Sequence, residues 1–236
     1  MTIEHVAETG STNDDLLARA AGGAPEGLWL RADQQTGGKG RQGRTWVSPP
    51  GNLYASTLVR LSPHDPPATG LALVAAVALH QAASCFTPDG DDGEPVLRIK
   101  WPNDLISPHG AKLAGILLER AGDAVVVGFG VNLAHHPEDL GRPVADLRTL
   151  FGASVDPASF CVTLSDVFAS WLLRWRQGGL PPIRRAWLRA AHPLNTLLST
   201  PEGEGHYDGL DESGALRLRL PSGDVRLIHA GDVFLL

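Results

Sequence analysis

A run of glycines interleaved with cations over residues 37–44 is the part of the sequence best suited to chemistry. It reads GGKGRQGR and carries Lys39, Arg41 and Arg44. Glycine lets backbone N–H groups turn inward and approach an anion closely, and the cations would neutralise a phosphate or carboxylate. Gly40 follows Lys39 where a P-loop would have Ser or Thr, so this is not a P-loop. The pattern predicts an anion-binding loop, with a basic surface turn as the alternative.

The tripeptide Ser11-Thr12-Asn13 is a second candidate, because it stands directly before a helix-like segment at 14–21. A hydroxyl at this position can cap the helix, and the acidic residues that follow suit its first turn. The structural interpretation is an N-cap and nothing more. The functional interpretation is that the hydroxyls and the free N–H groups of the helix terminus bind a polar ligand.

A third candidate is the segment Lys100–Asp104, KWPND, at the end of an apolar strand. Proline fixes φ and ends the strand, so Asn103 and Asp104 are expected to project from a stiff turn. An Asn-Asp pair after proline is also ordinary turn chemistry. Lys100 beside Trp101 is harder to explain by packing alone.

Lys112 begins a nearly continuous apolar strand, KLAGILL. Strand alternation predicts that it shares a face with Ala114, Ile116 and Leu118. A lysine on a buried face normally reaches outward or meets an anion. In the following strand, Gly128, Gly130 and Asn132 share a face that is flat enough for a ligand, a backbone or a helix to lie against.

These candidates sit within a chain that alternates strands and helices before changing character near residue 192. Helices are predicted at 14–21, 66–86, 156–177 and 181–191. Strands are predicted at 6–10, 28–32 and 53–59, and an antiparallel meander at 96–101, 112–119 and 124–133. Residues 87–95, with Asp89, Asp91 and Asp92, are predicted to form a solvated surface loop. Five short strands after 194 suggest a small barrel, which gives domains at 1–191 and 192–236.

Composition restricts the classes of function. The chain has 236 residues, 43% of them hydrophobic, with no apolar run near the roughly 20 residues of a membrane span and no secretory signal. A cytoplasmic protein is therefore expected, with Cys85 and Cys161 as buried free thiols. The formal charge is −6, and without the three loop cations 17 basic residues remain against 26 acidic ones. Small anions suit such a loop better than DNA does, and the nine histidines show no metal-ligand spacing.

Taken together, these segments resemble the biotin–protein ligase family. The resemblance is carried, in order, by Ser11-Thr12-Asn13, QTGGKGRQGR with Trp46, KWPND, KLAGIL and GFGVN, and it extends into the barrel-like tail. One such motif would be weak, whereas five in the right order are specific. The resemblance implies an α+β fold, with a mixed, mainly antiparallel sheet, flanking helices and a small C-terminal SH3-like barrel. Only ten residues precede Ser11, so the form without an N-terminal DNA-binding domain is expected.

The resemblance implies a two-step reaction. The carboxylate of biotin attacks the α-phosphate of ATP to give biotinyl-5′-AMP, with Mg²⁺ on the phosphates. The acyl group then passes to one lysine of a biotin carboxyl carrier domain of a biotin-dependent carboxylase. No DNA or membrane partner is expected, and a homodimer is compatible with many relatives.

The resemblance also assigns roles to single residues. The expected catalytic residues are Lys112, Arg41 and Asp104. The expected biotin-binding residues are Ser11, Thr12, Asn13, Gln35, Gly38, Lys39, Gly40, Lys112 and Gly115. The expected ATP-binding residues are Arg41, Arg44, Trp46, Lys100, Asn103 and Asn132. No side-chain metal ligand is assigned, although Asp104 could contact Mg²⁺ instead of orienting the acceptor lysine.

Three alternatives stay open at this point. A lipoate–protein ligase shares the fold and the adenylation chemistry, but KWPND and KLAGIL favour biotin. A biotin-binding sensor without catalysis conflicts with the retention of four charged residues, Arg41, Lys100, Asp104 and Lys112. A nucleic-acid-binding module conflicts with the acidic remainder of the chain. We also predict that Lys39–Arg44 is mobile without ligand, because a glycine-rich loop has little packing of its own.

Overall fold

The computed structural model describes residues 2–88, 90, 95–138 and 141–235. Within those residues the first part of the chain forms a seven-stranded sheet in the order β1-β2-β3-β7-β6-β5-β4. Its strands are β1 (Thr2–Thr9), β2 (Leu28–Gln35), β3 (Leu53–Arg60), β4 (Arg98–Lys100), β5 (Asp104–Ile106), β6 (Lys112–Ala121) and β7 (Ala124–Val131). The helices are α1 (Thr12–Ala21), α2 (Leu71–Ser84), α3 (Leu147–Phe151), α4 (Pro157–Gly178) and α5 (Leu180–Ala190). The predicted mixed, mainly antiparallel sheet with flanking helices is confirmed.

Strand β1 pairs with β2 in parallel, and the other pairings of this sheet are antiparallel. The parallel pair needs a crossover, which α1 supplies. The expected three-strand meander contains a fourth strand, because Asp104–Ile106 pairs with both β4 and β6. Asp104 therefore begins a strand directly after the turn at Pro102.

A register shift between β5 and β6 changes which side chains share a face. Asp104 lies opposite Gly115, but Ile106 lies opposite Lys112, so β6 carries one more residue than its partner over this interval. Such a bulge reverses the inward and outward alternation along the strand. Lys112 consequently lies on the side of Gly115, whose Cβ would be 3.2 Å from Lys112 Nζ, while Ala114 and Ile116 are in the core. The predicted face shared with Ala114, Ile116 and Leu118 is wrong.

The helices cover both faces of the sheet. On one face α2, α4 and α5 pack against the strands around Trp29, Phe129 and Phe168, whose rings contact one another. On the other face α1 places Leu16 in a smaller cluster. The predicted buried thiol is confirmed for Cys161 and wrong for Cys85, which is exposed because it follows the last residue of α2.

The second part of the chain forms a five-stranded antiparallel sheet within the described residues, in the order β11-β10-β9-β8-β12. Its strands are β8 (Leu197–Thr200), β9 (Gly203–Leu210), β10 (Leu216–Arg219), β11 (Val225–Ile228) and β12 (Phe234–Leu235). Leu198, Tyr207 and Leu216 join the same hydrophobic cluster as α2 and α5. The two sheets thus share buried apolar surface, and a domain boundary at 191/192 stays a prediction.

Two further expectations concern surface and membrane. Of the predicted acidic loop, Asp89, Asp91 and Asp92 lie outside the described residues. Among the helices that are described, none is long and apolar enough to cross a bilayer.

Candidate active site

A pocket opens on the α1 side of the sheet and extends to the second sheet. It brings together fourteen of the sixteen predicted site residues: Ser11, Thr12, Asn13, Gln35, Lys39, Gly40, Arg41, Arg44, Trp46, Lys100, Asn103, Asp104, Lys112 and Gly115. Gly38 and Asn132 are not among its lining residues. These fourteen residues come from four separate sequence motifs, which therefore meet at one pocket.

The α1 end of the pocket is neutral and densely hydrogen-bonded. Ser11 caps the helix in an extended conformation. The backbone N–H of Thr12 donates to Gln35 Oε1 at 2.9 Å, and Gln35 Nε2 donates to Ser48 Oγ at 3.1 Å. Ser11, Thr12 and Asn13 are each no more than 4% exposed. Polar groups this deeply buried are kept because they have partners or bind a polar ligand.

The floor of the pocket is a buried ion-pair cluster. Lys112 Nζ lies 2.5 Å from Asp104 Oδ1, and Lys100 Nζ lies 3.4 Å from Asp104 Oδ2. Burial alone would raise the pKa of Asp104, but the two ammonium groups outweigh it and hold that pKa below its usual range. Burial lowers the pKa of Lys112, and the carboxylate of Asp104 opposes that effect. Two lysine side chains share one carboxylate, so the pocket floor carries net positive charge when both lysines are protonated.

The glycine loop closes as a small hairpin over the opposite end. Trp46 N donates to Gly38 O at 2.9 Å, and Gly40 N donates to Arg44 O at 2.7 Å. Gln42 adopts a left-handed φ of 57° at the tip. Gly38 is required for a steric reason, since a Cβ there would lie 2.4 Å from Trp46 O. Gly38 therefore shapes the loop from beneath instead of lining the pocket.

Three predicted cations are held by consecutive residues from the far end of the chain. Arg41 donates to Gly231 O at 3.1 Å and to Asn103 Oδ1 at 3.0 Å. Arg44 pairs with Asp232 at 3.0 Å, and Lys100 donates to Val233 O at 3.0 Å. The second sheet thus contributes directly to the geometry of the cationic end.

Trp46 forms a wall against the sheet. A Cβ at Gly130 would lie 2.6 Å from its indole, and a Cβ at Gly115 would lie 3.2 Å from it. Its ring centroid is 5.5 Å from Lys112 Nζ, a cation–π distance. The flat glycine face predicted on β7 therefore receives side chains: Trp46 lies on Gly130 and Asn13 on Gly128.

Asn132 does not contribute its amide to the pocket. The side chain is buried, and its Nδ2 donates to Ala145 O at 3.0 Å. Its backbone N–H donates to Leu113 O, and its carbonyl accepts from Leu147 N. Asn132 therefore anchors the segment that follows β7. Because its amide is used there, the structure does not support the predicted contact with adenine.

Sequence reasoning missed several residues at the site. Arg142 and Asp232 line the pocket, and the buried hydroxyl of Ser56 lies behind it. Asp232 is more than 180 residues from its partner Arg44, and Arg142 belongs to a loop without a motif. A serine in the otherwise apolar strand LYASTLV was the one available signal.

The carboxylates of the pocket decide how the protein itself could hold Mg²⁺. Both lining carboxylates, Asp104 and Asp232, are paired with Lys or Arg side chains. No group of three potential metal ligands occurs among the residues that the structure describes. Mg²⁺ prefers one or two free carboxylates together with phosphate oxygens. Asp104 and Asp232 are both already paired with cations in this structure.

Comparison with known proteins identifies the family. Residues 11–132 match the Biotin/lipoate A/B protein ligase family, and residues 197–236 match the Biotin protein ligase C terminal domain. The chain is 38% identical to a biotin–[acetyl-CoA-carboxylase] ligase of Paracoccus denitrificans, over 97% of this chain and 98% of that protein. It is 33% identical to the enzyme of the same description from Mycobacterium tuberculosis, over 98% and 88%.

Solved structures show the same fold over the whole chain. Biotin protein ligase from Aquifex aeolicus, in complex with biotin and ATP, matches with a TM-score of 0.86 at 24% identity, covering 100% of this chain and 99% of that one. The Leishmania major enzyme, in complex with biotinyl-5-AMP, matches with a TM-score of 0.67 at 25% identity, over 97% and 99%. With both matched segments and relatives of similar length in agreement, the chain belongs to the biotin/lipoate A/B protein ligase family.

Proposed function

We propose that this protein is an ATP-dependent biotin–protein ligase, which adenylates biotin and transfers it to a lysine of a biotin carboxyl carrier domain. The observation that carries the proposal is the Lys112–Asp104 pair, 2.5 Å apart, between a neutral hydrogen-bonding end and a cationic end of one pocket. A ligand with a polar uncharged head and an anionic tail fits that order. Biotin has a ureido ring at one end and a carboxylate at the other.

In the first step a carboxylate oxygen of biotin attacks the α-phosphorus of ATP, and the bond to pyrophosphate breaks. Two anions must be brought together, which costs electrostatic energy unless cations are already in place. The pocket lining has six cations and two carboxylates, an excess that matches the charge of ATP. Lys112 is held by Asp104 on the pocket floor between the two ends, so it is assigned to the biotin carboxylate and the α-phosphate.

Arg142 adds to this assignment. It lines the pocket, and its charge acts on both Asp104 and Lys112. The other cations of the lining each contact Asp14, Asp104, Asp232 or a backbone carbonyl. Within the described part of the chain, Arg142 is the one lining cation whose side chain makes no hydrogen bond or ion pair. It is therefore assigned to the phosphates of ATP, where a guanidinium can bind two oxygens at once.

In the second step the neutral amine of the acceptor lysine attacks the carbonyl of the acyl-adenylate. The C–N bond forms, the bond from the carbonyl carbon to the phosphate oxygen breaks, AMP leaves with the bonding electron pair, and the amine proton passes to solvent. Asp104 is a poor proton acceptor at neutral pH, because Lys112 and Lys100 keep it ionised. Its assigned role is to hold Lys112 and to attract the acceptor amine. The proposed setting is the cytoplasm, with a carrier domain as the protein partner.

The test is ATP–pyrophosphate exchange with Mg²⁺, comparing no added acid, biotin and lipoate. Exchange that depends on biotin, together with a mass increase of one biotinyl group on a purified carrier domain, is the expected result. Exchange with lipoate in place of biotin would assign the chain to lipoate chemistry. Biotin binding without exchange would contradict the catalytic assignments.

A further inference from the structure

Ser56 lies directly behind the wall of the pocket at the α1 end. It sits in the middle of β3, is fully buried, and does not line the pocket itself. Its Oγ lies 2.7 Å from Thr12 Oγ1 and 2.6 Å from Asn13 Oδ1. Thr12 and Asn13 both line the pocket. One buried hydroxyl therefore contacts two residues of the binding wall from behind.

The direction of these hydrogen bonds follows from the chemistry of the partners. Asn13 Nδ2 donates to Glu119 Oε2 at 2.7 Å, and an ionised carboxylate can only accept. This contact fixes the orientation of the amide, so the oxygen of Asn13 faces Ser56. An amide oxygen also only accepts. Ser56 must therefore donate its single proton to Asn13.

Thr12 is then left with one role. Two hydroxyl oxygens 2.7 Å apart need a proton between them, and Ser56 has none left to give. Thr12 Oγ1 therefore donates to Ser56. Gln35 Oε1 also lies within hydrogen-bond distance of this hydroxyl, but at 3.2 Å it is a longer contact than the 2.7 Å to Ser56, and it already accepts the backbone N–H of Thr12 at 2.9 Å. Toward the pocket, Thr12 Oγ1 presents lone pairs only.

Ser11 differs from Thr12 because its hydroxyl can donate a hydrogen bond into the pocket. Its Oγ accepts a long contact from Asp14 N at 3.5 Å, and its own proton remains available to donate into the pocket. A ligand group that fits this pair carries an N–H toward Thr12 and an acceptor oxygen toward Ser11. A cyclic urea has both, side by side.

We propose that Ser56 is a positioning residue that fixes Thr12 as a hydrogen-bond acceptor and thereby selects a ligand with a ureido N–H. This inference rests on the proposed function, which makes biotin the ligand. A ligand with an oxygen or an N-methyl group at that place would bring a lone pair or a methyl group against the lone pairs of Thr12. Buried polar groups that lack a partner are strongly unfavourable, so such ligands are rejected.

The first measurement is biotin binding to Ser56→Ala by isothermal titration calorimetry. Removing the hydroxyl leaves Asn13 Oδ1 without its donor and frees the proton of Thr12, so biotin affinity should fall about tenfold or more. The KM for ATP, and kcat at saturating biotin, should stay unchanged. Ser56→Thr should restore affinity because it retains the hydroxyl, whereas Ser56→Cys keeps the packing but is a weak donor and should not.

Thr57→Ala is the matched control. Thr57 is the next residue of β3, is equally buried, and donates to Leu28 O at 3.2 Å. It points to the other side of the strand and does not contact the Thr12–Asn13 network. Its loss should lower thermal stability without changing biotin affinity.

Ligand analogues test the selectivity itself. Desthiobiotin keeps the ureido ring, so Ser56→Ala should reduce the affinity for desthiobiotin by the same factor as the affinity for biotin. Two further analogues each carry a methyl group on one of the two ureido nitrogens. For the analogue that cannot donate to Thr12, Ser56→Ala should reduce the binding affinity by a smaller factor than it does for biotin, as in a double-mutant cycle. Unchanged biotin affinity in Ser56→Ala, or equal losses for both methylated analogues, would overturn the inference. If Ser56→Ala does not fold, the same measurements of biotin and analogue affinity are made on Ser56→Cys, and unchanged biotin affinity in that variant would overturn the inference. A wild-type protein that does not bind biotin would instead refute the proposed function.

Discussion

At the α1 end of the pocket the polar groups bind one another, whereas at the opposite end the cations are bound by a segment from the far end of the chain. Thr12, Asn13 and Ser56 are buried and joined by contacts of 2.6–2.7 Å. Arg41 and Arg44 are held by Gly231 and Asp232, at 3.0–3.1 Å, and Arg44 is largely exposed. The neutral end is preorganised by the main sheet, and the charged end depends on contacts between the two sheets.

The difference suggests that the α1 end selects the ligand by its neutral head group, whereas the opposite end binds the charged reactants. Hydrogen-bond directions that are fixed before binding give specificity for a neutral head group. Cations that are partly exposed and multiply paired give a positive field that can adjust to a charged and hydrated nucleotide. Variants at the two ends should therefore affect different substrates.

The largest effect is expected from Lys112→Ala. Removing one electrostatic stabiliser from a buried position should slow biotin adenylation about 10²–10³-fold. Pyrophosphate exchange measures that rate, and calorimetry measures biotin affinity in the same variant. Affinity should fall much less than the rate, because the ureido contacts at the α1 end remain. A near-normal rate of pyrophosphate exchange in Lys112→Ala would show that Lys112 does not stabilise the transition state of adenylation.

A smaller effect is expected from Arg142→Ala. If its guanidinium binds the phosphates, the KM for ATP should rise about tenfold while biotin affinity stays unchanged. Arg148→Ala is the control, because Arg148 is an exposed arginine on the neighbouring helix α3 and does not line the pocket. Equal behaviour of the two variants would mean that the charge of Arg142 acts only at long range.

The pH dependence of adenylation should report on the ion pair. The positive charge of Lys112 is lost as pH rises through its pKa, which burial lowers from the ordinary lysine value. Adenylation should therefore decline on the alkaline side at a lower pH than free lysine titrates. Asp104 raises the pKa of Lys112, so Asp104→Asn should move that decline to still lower pH. A decline that is unchanged in Asp104→Asn would assign it to another group.

The smallest effect is expected in backbone dynamics. Amide exchange over Lys39–Arg44 should slow when biotin and ATP are added, because most residues of the loop are exposed and contacts with ligand would add to the hydrogen bonds of the hairpin. Exchange at the N-terminus of α1 should change little, since its groups are already bonded. If the loop and the N-terminus of α1 were equally protected from exchange before ligand is added, the two ends of the pocket would not differ in preorganisation.

Much of the fold and most of the site could be predicted from local pattern. The glycine loop, KWPND and Lys112 each sit in segments whose spacing identifies them, and all reach the pocket. Strand alternation failed at Lys112 because a bulge depends on the partner strand and not on the sequence of β6 alone. Ser56 was hidden within an apolar strand, and Asp232 acts on Arg44 across a distance in sequence that no local pattern bridges. Asn132 matched a motif but uses its amide to hold the neighbouring loop.

The placement of residues 231–233 has a consequence for how the protein is made. Domains fold as the chain leaves the ribosome, amino-terminal part first, so the main sheet and the α1 end of the pocket can form early. Arg41, Arg44 and Lys100 each lack one of their partners until Gly231–Val233 has been synthesised and docked. A nascent chain would therefore pass through a stage that can bind biotin without activating it. Completion of the charged end of the pocket is thereby tied to synthesis and docking of the second sheet.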